Sequence, residues 1–154
     1  MDTGISAKQR DRIAQGLSRL LADTYILYLK THGFHWNVEG PDFGQYHSFL
    51  DGLYNELWLS VDRIAEEIRT TRSYVPGSLT RFKELSVVQD EVNIPTALSM
   101  LAKLRDDNEK VIAQLVKARE LAETSKAYGL VNFFEDRIDA HYKHDWMLRA
   151  YTRS

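Results

Sequence analysis

Apolar residues recur at intervals of three and four along four long stretches of this chain, which is the period of an amphipathic helix. The first stretch, segment A, opens with Ser6 and Gln9, spaced as a capping box, and continues to about Trp36. A turn containing Pro41 follows, because the residue before a proline disfavours helix. The positions that carry the period in segment A are Ile13, Leu17, Leu20, Leu21, Thr24, Tyr25 and Tyr28.

Three further helical stretches follow: segment B over about residues 42–71, segment C over about 95–123 and segment D over about 129–151. Pro95 suits the first turn of segment C, because the backbone N–H groups of a first turn have no partner within the helix and proline has no N–H. The connection between B and C is long and weakly periodic, but LTRFKEL within it predicts one short helix. The apolar stripe of segment B comprises Phe43, Tyr46, Leu50, Leu53, Leu57, Val61, Ile64 and Ile68.

Four long helices with one long crossover between B and C predict an all-α, ferritin-like four-helix bundle, with a short helix in the crossover. A length of 154 residues suits one domain with a real core. We therefore expect a single ferritin-like domain over residues 1–154, with a short N-terminal tail over residues 1–5.

Composition narrows the class of protein. The absence of cysteine excludes disulfides, thiolate zinc sites and thiol catalysis. No apolar run approaches the roughly 20 residues of a membrane span, and the N-terminus lacks the apolar region of a secretory signal. We expect a cytoplasmic protein without a membrane partner. The net charge of −2 argues against a surface that broadly attracts nucleic acid.

A set of potential metal ligands runs from the end of segment A along segment B: His35, His47, Asp51, Asp62 and Glu66. Taken singly, each is more often an ordinary polar residue than a ligand. On a helix, however, the last four fall within one stripe roughly 100° wide. Asp51 and Asp62 are about 16 Å apart along the helix axis, so they cannot share a metal within one chain.

Two chains related by a two-fold axis can bring these residues together. If two copies of segment B lie antiparallel, residues face each other when their numbers add to a constant. His47 and Glu66 add to 113. Asp51 and Asp62 also add to 113, so one register forms both pairs and creates two identical sites about 22 Å apart. Asn55 and Trp58 share that sum and are predicted to lie near the axis.

The ligand chemistry of such a site suits iron. His35, His47 and Asp51 supply two imidazoles and a carboxylate, a set typical of ferrous iron with open positions. The carboxylates of the partner's Asp62 and the partner's Glu66 can bridge a second iron. The usual ferritin-like site inside one bundle needs Glu-x-x-His pairs. No histidine here has a glutamate three residues before it, which disfavours an intrachain di-iron centre.

The stretch that carries these residues, HWNVEGPDFGQYHSFLDGLYNELWLSVDRIAEE, resembles the signature of the Dps family, the DNA-protection-during-starvation mini-ferritins. The spacing His-x11-His-x3-Asp-x10-Asp-x3-Glu is matched at every ligand, and WMLRA near the C-terminus resembles the family's last helix. The resemblance implies a ferroxidase with iron (Fe2+/Fe3+) as cofactor and a homo-oligomeric shell of twelve subunits. It also implies hydrogen peroxide, rather than dioxygen, as the favoured oxidant, and a ferric mineral stored inside as protection against oxidative stress.

Four further residues have more than one interpretation. His32 is either a partner that orients His35 or a plain surface or interface histidine. Trp36 either quenches stray oxidising equivalents or closes the corner between segments A and B. His141 and His144 on segment D are interpreted as structural or surface residues, since no carboxylate set accompanies them in the sequence.

Two alternative functions stay open at this point: a nucleoid protein that condenses DNA and oxidises iron only secondarily, and a helical scaffold whose polar stripe holds a dimer together. We expect DNA binding to be weak. The residues before the capping box, MDTGI, contain no Lys or Arg. The basic residues Lys8, Arg10 and Arg12 are predicted to lie in the first turns of helix A, beside Asp11.

Overall fold

The computed structural model describes residues 4–153, and within that range the secondary structure consists of five helices. The prediction of an all-α, ferritin-like bundle is confirmed. The long helix α1 packs along α2, α4 packs along α5, and α1 also contacts α4 and the short α3. None of the described helices is long and apolar enough to cross a membrane. The helices are α1 Ala7–Asn37, α2 Phe43–Thr70, α3 Leu79–Leu85, α4 Ala97–Thr124 and α5 Tyr128–Thr152.

The ends of the helices follow from local capping chemistry. At the start of α1, Gln9 N–H donates to Ser6 Oγ at 3.2 Å and Ser6 N–H donates to Gln9 Oε1 at 2.9 Å, which confirms the capping box. Helix α3 covers the predicted heptapeptide LTRFKEL. The placement of Pro95 in the first turn of α4 is wrong. Thr96 is the N-cap and its Oγ1 accepts from Ser99 N–H, so the proline lies outside the helix.

Two tight turns close the helix pairs. Gly40, between α1 and α2, has φ of 117°, a conformation open to glycine but strained for residues with a Cβ. Lys126, after α4, adopts a left-handed φ of 59°. Around it, Ala127 N–H donates to Ala122 O and Lys126 N–H donates to Glu123 O, the paired bonds of a Schellman motif. These turns set the antiparallel packing of α1 on α2 and of α4 on α5.

The core fills the space between the four long helices and continues beneath the crossover. It is aliphatic with a few aromatic rings, and includes Leu17, Leu20, Leu50, Leu57, Ile64, Ile68, Met100, Leu101, Leu104, Val111, Leu115, Phe133 and Phe134. Ile5, in the segment before α1, is also buried in this core. Of the rest of the expected tail, Gly4 is exposed and residues 1–3 lie outside the described residues.

Two buried polar side chains of α1 fix the crossover. The Asp23 carboxylate accepts from Ser86 Oγ and from Val87 N–H, both at 2.8 Å, and burial raises the pKa of this carboxyl. Lys30 Nζ lies 2.7 Å from Asp107 Oδ2 of α4 and donates to Gln89 O of the crossover. The crossover is therefore held on α1 by hydrogen bonds as well as by Phe82 and Val88 in the core.

Candidate metal centre

The last turn of α1 and the first turns of α2 bring His35 and His47 into contact. The two imidazole rings are stacked, with their centroids 3.7 Å apart and their planes 16° from parallel. Each ring bonds to the other residue's main chain: His35 Nδ1 lies 2.8 Å from His47 O, and His47 Nδ1 lies 2.8 Å from His35 O. The corner between the helices is thus closed by two reciprocal hydrogen bonds.

These reciprocal bonds determine which nitrogen of each ring is available. A carbonyl oxygen can only accept a hydrogen bond, so the proton of each neutral imidazole is on Nδ1. The lone pair is then on Nε2 in both His35 and His47. An imidazole whose N–H donates to a main-chain carbonyl, leaving the other nitrogen free, is the usual state of a metal-binding histidine. The pair is preorganised to offer two nitrogen donors side by side.

Asp51 lies one helical turn after His47 and is exposed in the single chain. Its carboxylate accepts from the Tyr54 hydroxyl at 3.0 Å and from Asn55 Nδ2 at 3.3 Å. Desolvation and the bond to this carboxylate raise the pKa of Tyr54. The Tyr54 ring also lies 5.1 Å from the His35 ring, so one side chain connects the carboxylate to the imidazole pair.

His32 and Trp36 form the edge of this cluster. The His32 ring stacks on Tyr54 at 3.8 Å and lies 6.0 Å from the His35 ring, and its Nδ1 is 3.0 Å from the Tyr28 hydroxyl. Partial burial lowers the pKa of His32. The Trp36 ring lies 4.1 Å from the His32 ring but remains largely exposed. His32 therefore contacts the cluster by stacking on Tyr54 and not by a hydrogen bond to His35.

Asp62 and Glu66 lie three and four turns farther along α2 than Asp51, and both are exposed. Neither forms a hydrogen bond or an ion pair with another side chain in the described range. Across residues 4–153, no three His, Asp or Glu side chains are placed to hold a metal ion together. A single chain thus presents two separated groups of donors, as the helix geometry of the sequence predicts.

His141 and His144 are buried inside the bundle, so the structural interpretation is right and the surface one is wrong. One carboxylate does accompany them in the fold, although not a set: Glu56 of α2 lies 3.4 Å from His144 Nε2. Glu56 is in turn bound by Arg137 through two hydrogen bonds. This carboxylate comes from another helix and could not be found from the neighbours of the histidines in the sequence.

Two residues of functional interest were missed in the sequence. Tyr54, three positions after Asp51 on the same helix face, carries a signal in its spacing that could have identified it. Arg137 occupies a position in the buried stripe of α5, between Phe134 and His141, where a charged residue is unusual. A buried charge in an apolar register is a sign of a specific partner.

Known proteins with a similar sequence align with nearly the whole of this chain. A family model described as a ferritin-like domain matches residues 14–154. A low temperature-induced protein of Nostoc sp. is 31% identical over 98% of this chain and 86% of its own length. The DNA protection during starvation protein 2 of Bacillus anthracis is 30% identical over 91% of this chain and 96% of its own length.

Solved structures agree with this. A Dps protein from Vibrio cholerae, described as a member of a broad superfamily of ferritin-like diiron-carboxylate proteins, superimposes with a TM-score of 0.94 at 26% identity. The alignment covers 99% of this chain and 96% of that one. The match spans all five helices, including the corner between α1 and α2 that holds the histidine pair.

Proposed function

Because this chain belongs to the Dps family of ferritin-like proteins, we propose that it is a ferroxidase that oxidises Fe(II), with hydrogen peroxide as the preferred oxidant, and stores the ferric product. The site comprises His35, His47 and Asp51 of one subunit with the partner's Asp62 and the partner's Glu66. Iron is the substrate and the stored cargo. The observation that carries the proposal is the reciprocal hydrogen bonding of the two histidines, which leaves two Nε2 donors free.

The separation of donors along α2 supports a site shared between two subunits. Each chain offers an imidazole-rich half at the start of α2 and a carboxylate half at Asp62 and Glu66, and a two-fold axis near Asn55 and Trp58 brings unlike halves together. Trp58 and Leu59, in the middle of α2, are 47% and 75% exposed in the single chain. Large apolar side chains at this position favour burial against a second copy.

The chemistry requires a site that binds two ferrous ions close together. Hydrogen peroxide accepts two electrons, one from each Fe(II), and with two protons yields two waters and two Fe(III). Taking both electrons at one site avoids release of hydroxyl radical. Imidazole nitrogens suit Fe(II), whereas carboxylate oxygens stabilise the harder Fe(III) product and favour its passage to a mineral. Twelve such subunits around a hollow interior would keep that mineral away from other cell components.

The test is complementation between two damaged chains. His47→Gly and Asp62→Ala should each lower peroxide-driven Fe(II) oxidation strongly when assembled alone. Shells reassembled from an equal mixture should recover about a quarter of the native sites, because one site in each mixed dimer receives both intact halves. Oxidation is followed by the absorbance of the ferric product after anaerobic Fe(II) loading.

A matched control uses two changes in the same half of the site. A mixture of His47→Gly and Asp51→Ala chains should recover nothing, since every site then contains one damaged imidazole half. Equal recovery in both mixtures, or none in either, would refute a site shared between subunits.

A further inference from the structure

A second group of polar side chains lies inside the four-helix bundle, away from the candidate metal centre. It comprises Glu56 of α2, Asn108 of α4, and Arg137, His141 and His144 of α5. All except Glu56 are buried. The bundle interior is where ferritin-like di-iron proteins hold metal between carboxylates and histidines of facing helices. This cluster therefore combines donor types suited to a metal with a position suited to one.

The guanidinium of Arg137 lies among these donors. Its Nη1 donates to Glu56 Oε2 at 2.6 Å and its Nη2 donates to Glu56 Oε1 at 2.9 Å, a bidentate pair. Nη2 also lies 3.4 Å from His141 Nε2. The same planar cation thus contacts both a carboxylate and an imidazole.

The hydrogen bonds of His141 show that its Nε2 carries a lone pair, which faces the guanidinium of Arg137. Asn108 Nδ2 donates to His141 O at 2.9 Å, which fixes the orientation of the amide. Asn108 Oδ1 then accepts from His141 Nδ1 at 2.7 Å. In a neutral imidazole with its proton on Nδ1, the lone pair is on Nε2. Asn108 therefore holds for His141 the tautomer that a metal ligand requires.

His144 completes the set. Its Nε2 lies 3.4 Å from Glu56 Oε1, its ring packs edge-on against that of His141, and its buried Nδ1 has no hydrogen-bond partner among the described residues. Glu56, His141 and His144 are a carboxylate and two imidazoles, the same donor types as Asp51, His35 and His47. The difference is that a guanidinium binds the carboxylate and contacts one of the imidazoles, that of His141.

We propose that Arg137 is a specificity-determining residue that occupies the cation position of this interior cluster and keeps divalent metal out of it, so that metal binds only between subunits. The inference rests on the proposed function for the identity of the cargo as iron and for the site between subunits. A fixed positive charge repels a divalent ion, and a bidentate bond occupies both oxygens of Glu56. With the guanidinium in place, Glu56, His141 and His144 do not form a ligand set that could hold a metal ion, in keeping with the absence of any such set in residues 4–153.

The test removes the guanidinium and counts bound metal. It is done in chains that also carry His47→Gly and Asp62→Ala, which weaken the interface site. Arg137→Ala should gain about one Co²⁺ per chain over the matched background, with the visible absorption band of low-coordinate cobalt bound by histidine and carboxylate. Added Co²⁺ should also raise the unfolding temperature of the Arg137→Ala chain, because the ion binds only the folded state.

Further variants distinguish loss of the cation from general damage. Arg137→Lys keeps a positive charge and should stay free of interior metal. Arg137→Ala combined with Glu56→Gln lacks the carboxylate and should lose both the added cobalt and the thermal shift. Arg137→His fills part of the space with a third imidazole and should also gain a cobalt ion, which keeps the test available if Arg137→Ala fails to fold.

The outcomes are separable from those of the proposed function. Equal cobalt content in the background and in both the Arg137→Ala and Arg137→His chains would overturn the inference. So would cobalt bound to His141 or His144 in chains that retain Arg137. Failure of complementation between His47→Gly and Asp62→Ala would refute the interface site but would leave the cobalt difference at position 137 unaffected.

Discussion

The Tyr54 hydroxyl donates a hydrogen bond to Asp51 Oδ1 at 3.0 Å, and its ring stacks on His32. One tyrosine thereby orients a proposed carboxylate ligand and packs beside the imidazole half of the site. Carboxylate ligands held in this way bind metal more tightly than free ones, since less rotational freedom is lost on binding.

Removal of that hydroxyl tests its role. Tyr54→Phe should weaken Fe(II) binding at the interface by about tenfold, with little change in folding, because only the orientation of Asp51 is lost. Anaerobic calorimetric titration with Fe(II) measures the affinity. Tyr46→Phe is the matched control on the same helix, since the Tyr46 ring packs against Tyr151 outside the histidine cluster. Equal losses in the two variants would show that Tyr54 does not position the ligand.

Assembly should depend on the apolar middle of α2. At neutral pH we expect one large species with a mass about twelve times the 17.8 kDa of the chain. Trp58→Glu should shift the distribution to smaller species, because two carboxylates would then lie close to the two-fold axis. Sedimentation velocity measures both. A native chain that persists as a monomer or an isolated dimer would contradict the shell.

Stability should fall on acidification because of the buried histidines of α5. Burial is the main cause that lowers the pKa of His144 to about 4, and it lowers that of His141 well below 6.5. Between pH 6.5 and pH 4 the unfolded chain takes up a proton at His144 that the folded chain does not. The free energy of unfolding therefore decreases as the pH falls, and His144 accounts for a decrease of about 3 kcal/mol at pH 4.

The measurement is urea unfolding at several pH values for the native chain and for His144→Gln, which cannot take up that proton. The glutamine variant should lose less stability between pH 7 and pH 4.5 than the native chain does. Parallel curves for the two proteins would mean that other groups account for the acid sensitivity.

DNA binding should be weak. Lys8 and Arg12 are exposed in the first turns of α1, as predicted, but Asp11 lies between them and Arg10 Nη1 donates to Ile5 O at 2.7 Å. A shell of twelve chains at −2 each would carry about −24 and would repel phosphate.

A gel-shift titration of plasmid at low and near-physiological salt measures this binding. Retention of plasmid only at low salt is the expected result, since phosphate contacts weaken as salt rises. Tight retention at near-physiological salt that disappears in the Lys8→Ala, Arg12→Ala double variant would contradict the prediction and show that this basic pair is required for DNA binding.

The sequence by itself determined the helices and the spacing of the proposed ligands. The capping box at Ser6 and the short helix LTRFKEL depend on residues within a few positions of each other, and the structure has both where they were predicted. The placement of His47, Asp51, Asp62 and Glu66 on one face also follows from helix periodicity alone. The error at Pro95 is local too, because either Pro95 as a residue of the first turn or Thr96 as the N-cap could have set the start of α4.

Contacts between residues distant in the chain were decided only by the tertiary structure. The reciprocal bonds of His35 and His47 depend on the angle at which α2 leaves α1, and the Glu56–Arg137 pair joins positions 81 residues apart. The periodicity of the sequence does not predict which charged side chains of two helices form a buried ion pair, since that depends on how the two helices are rotated against each other. The free Nε2 atoms at the corner of α1 and α2 and the guanidinium within the bundle are consequences of that packing.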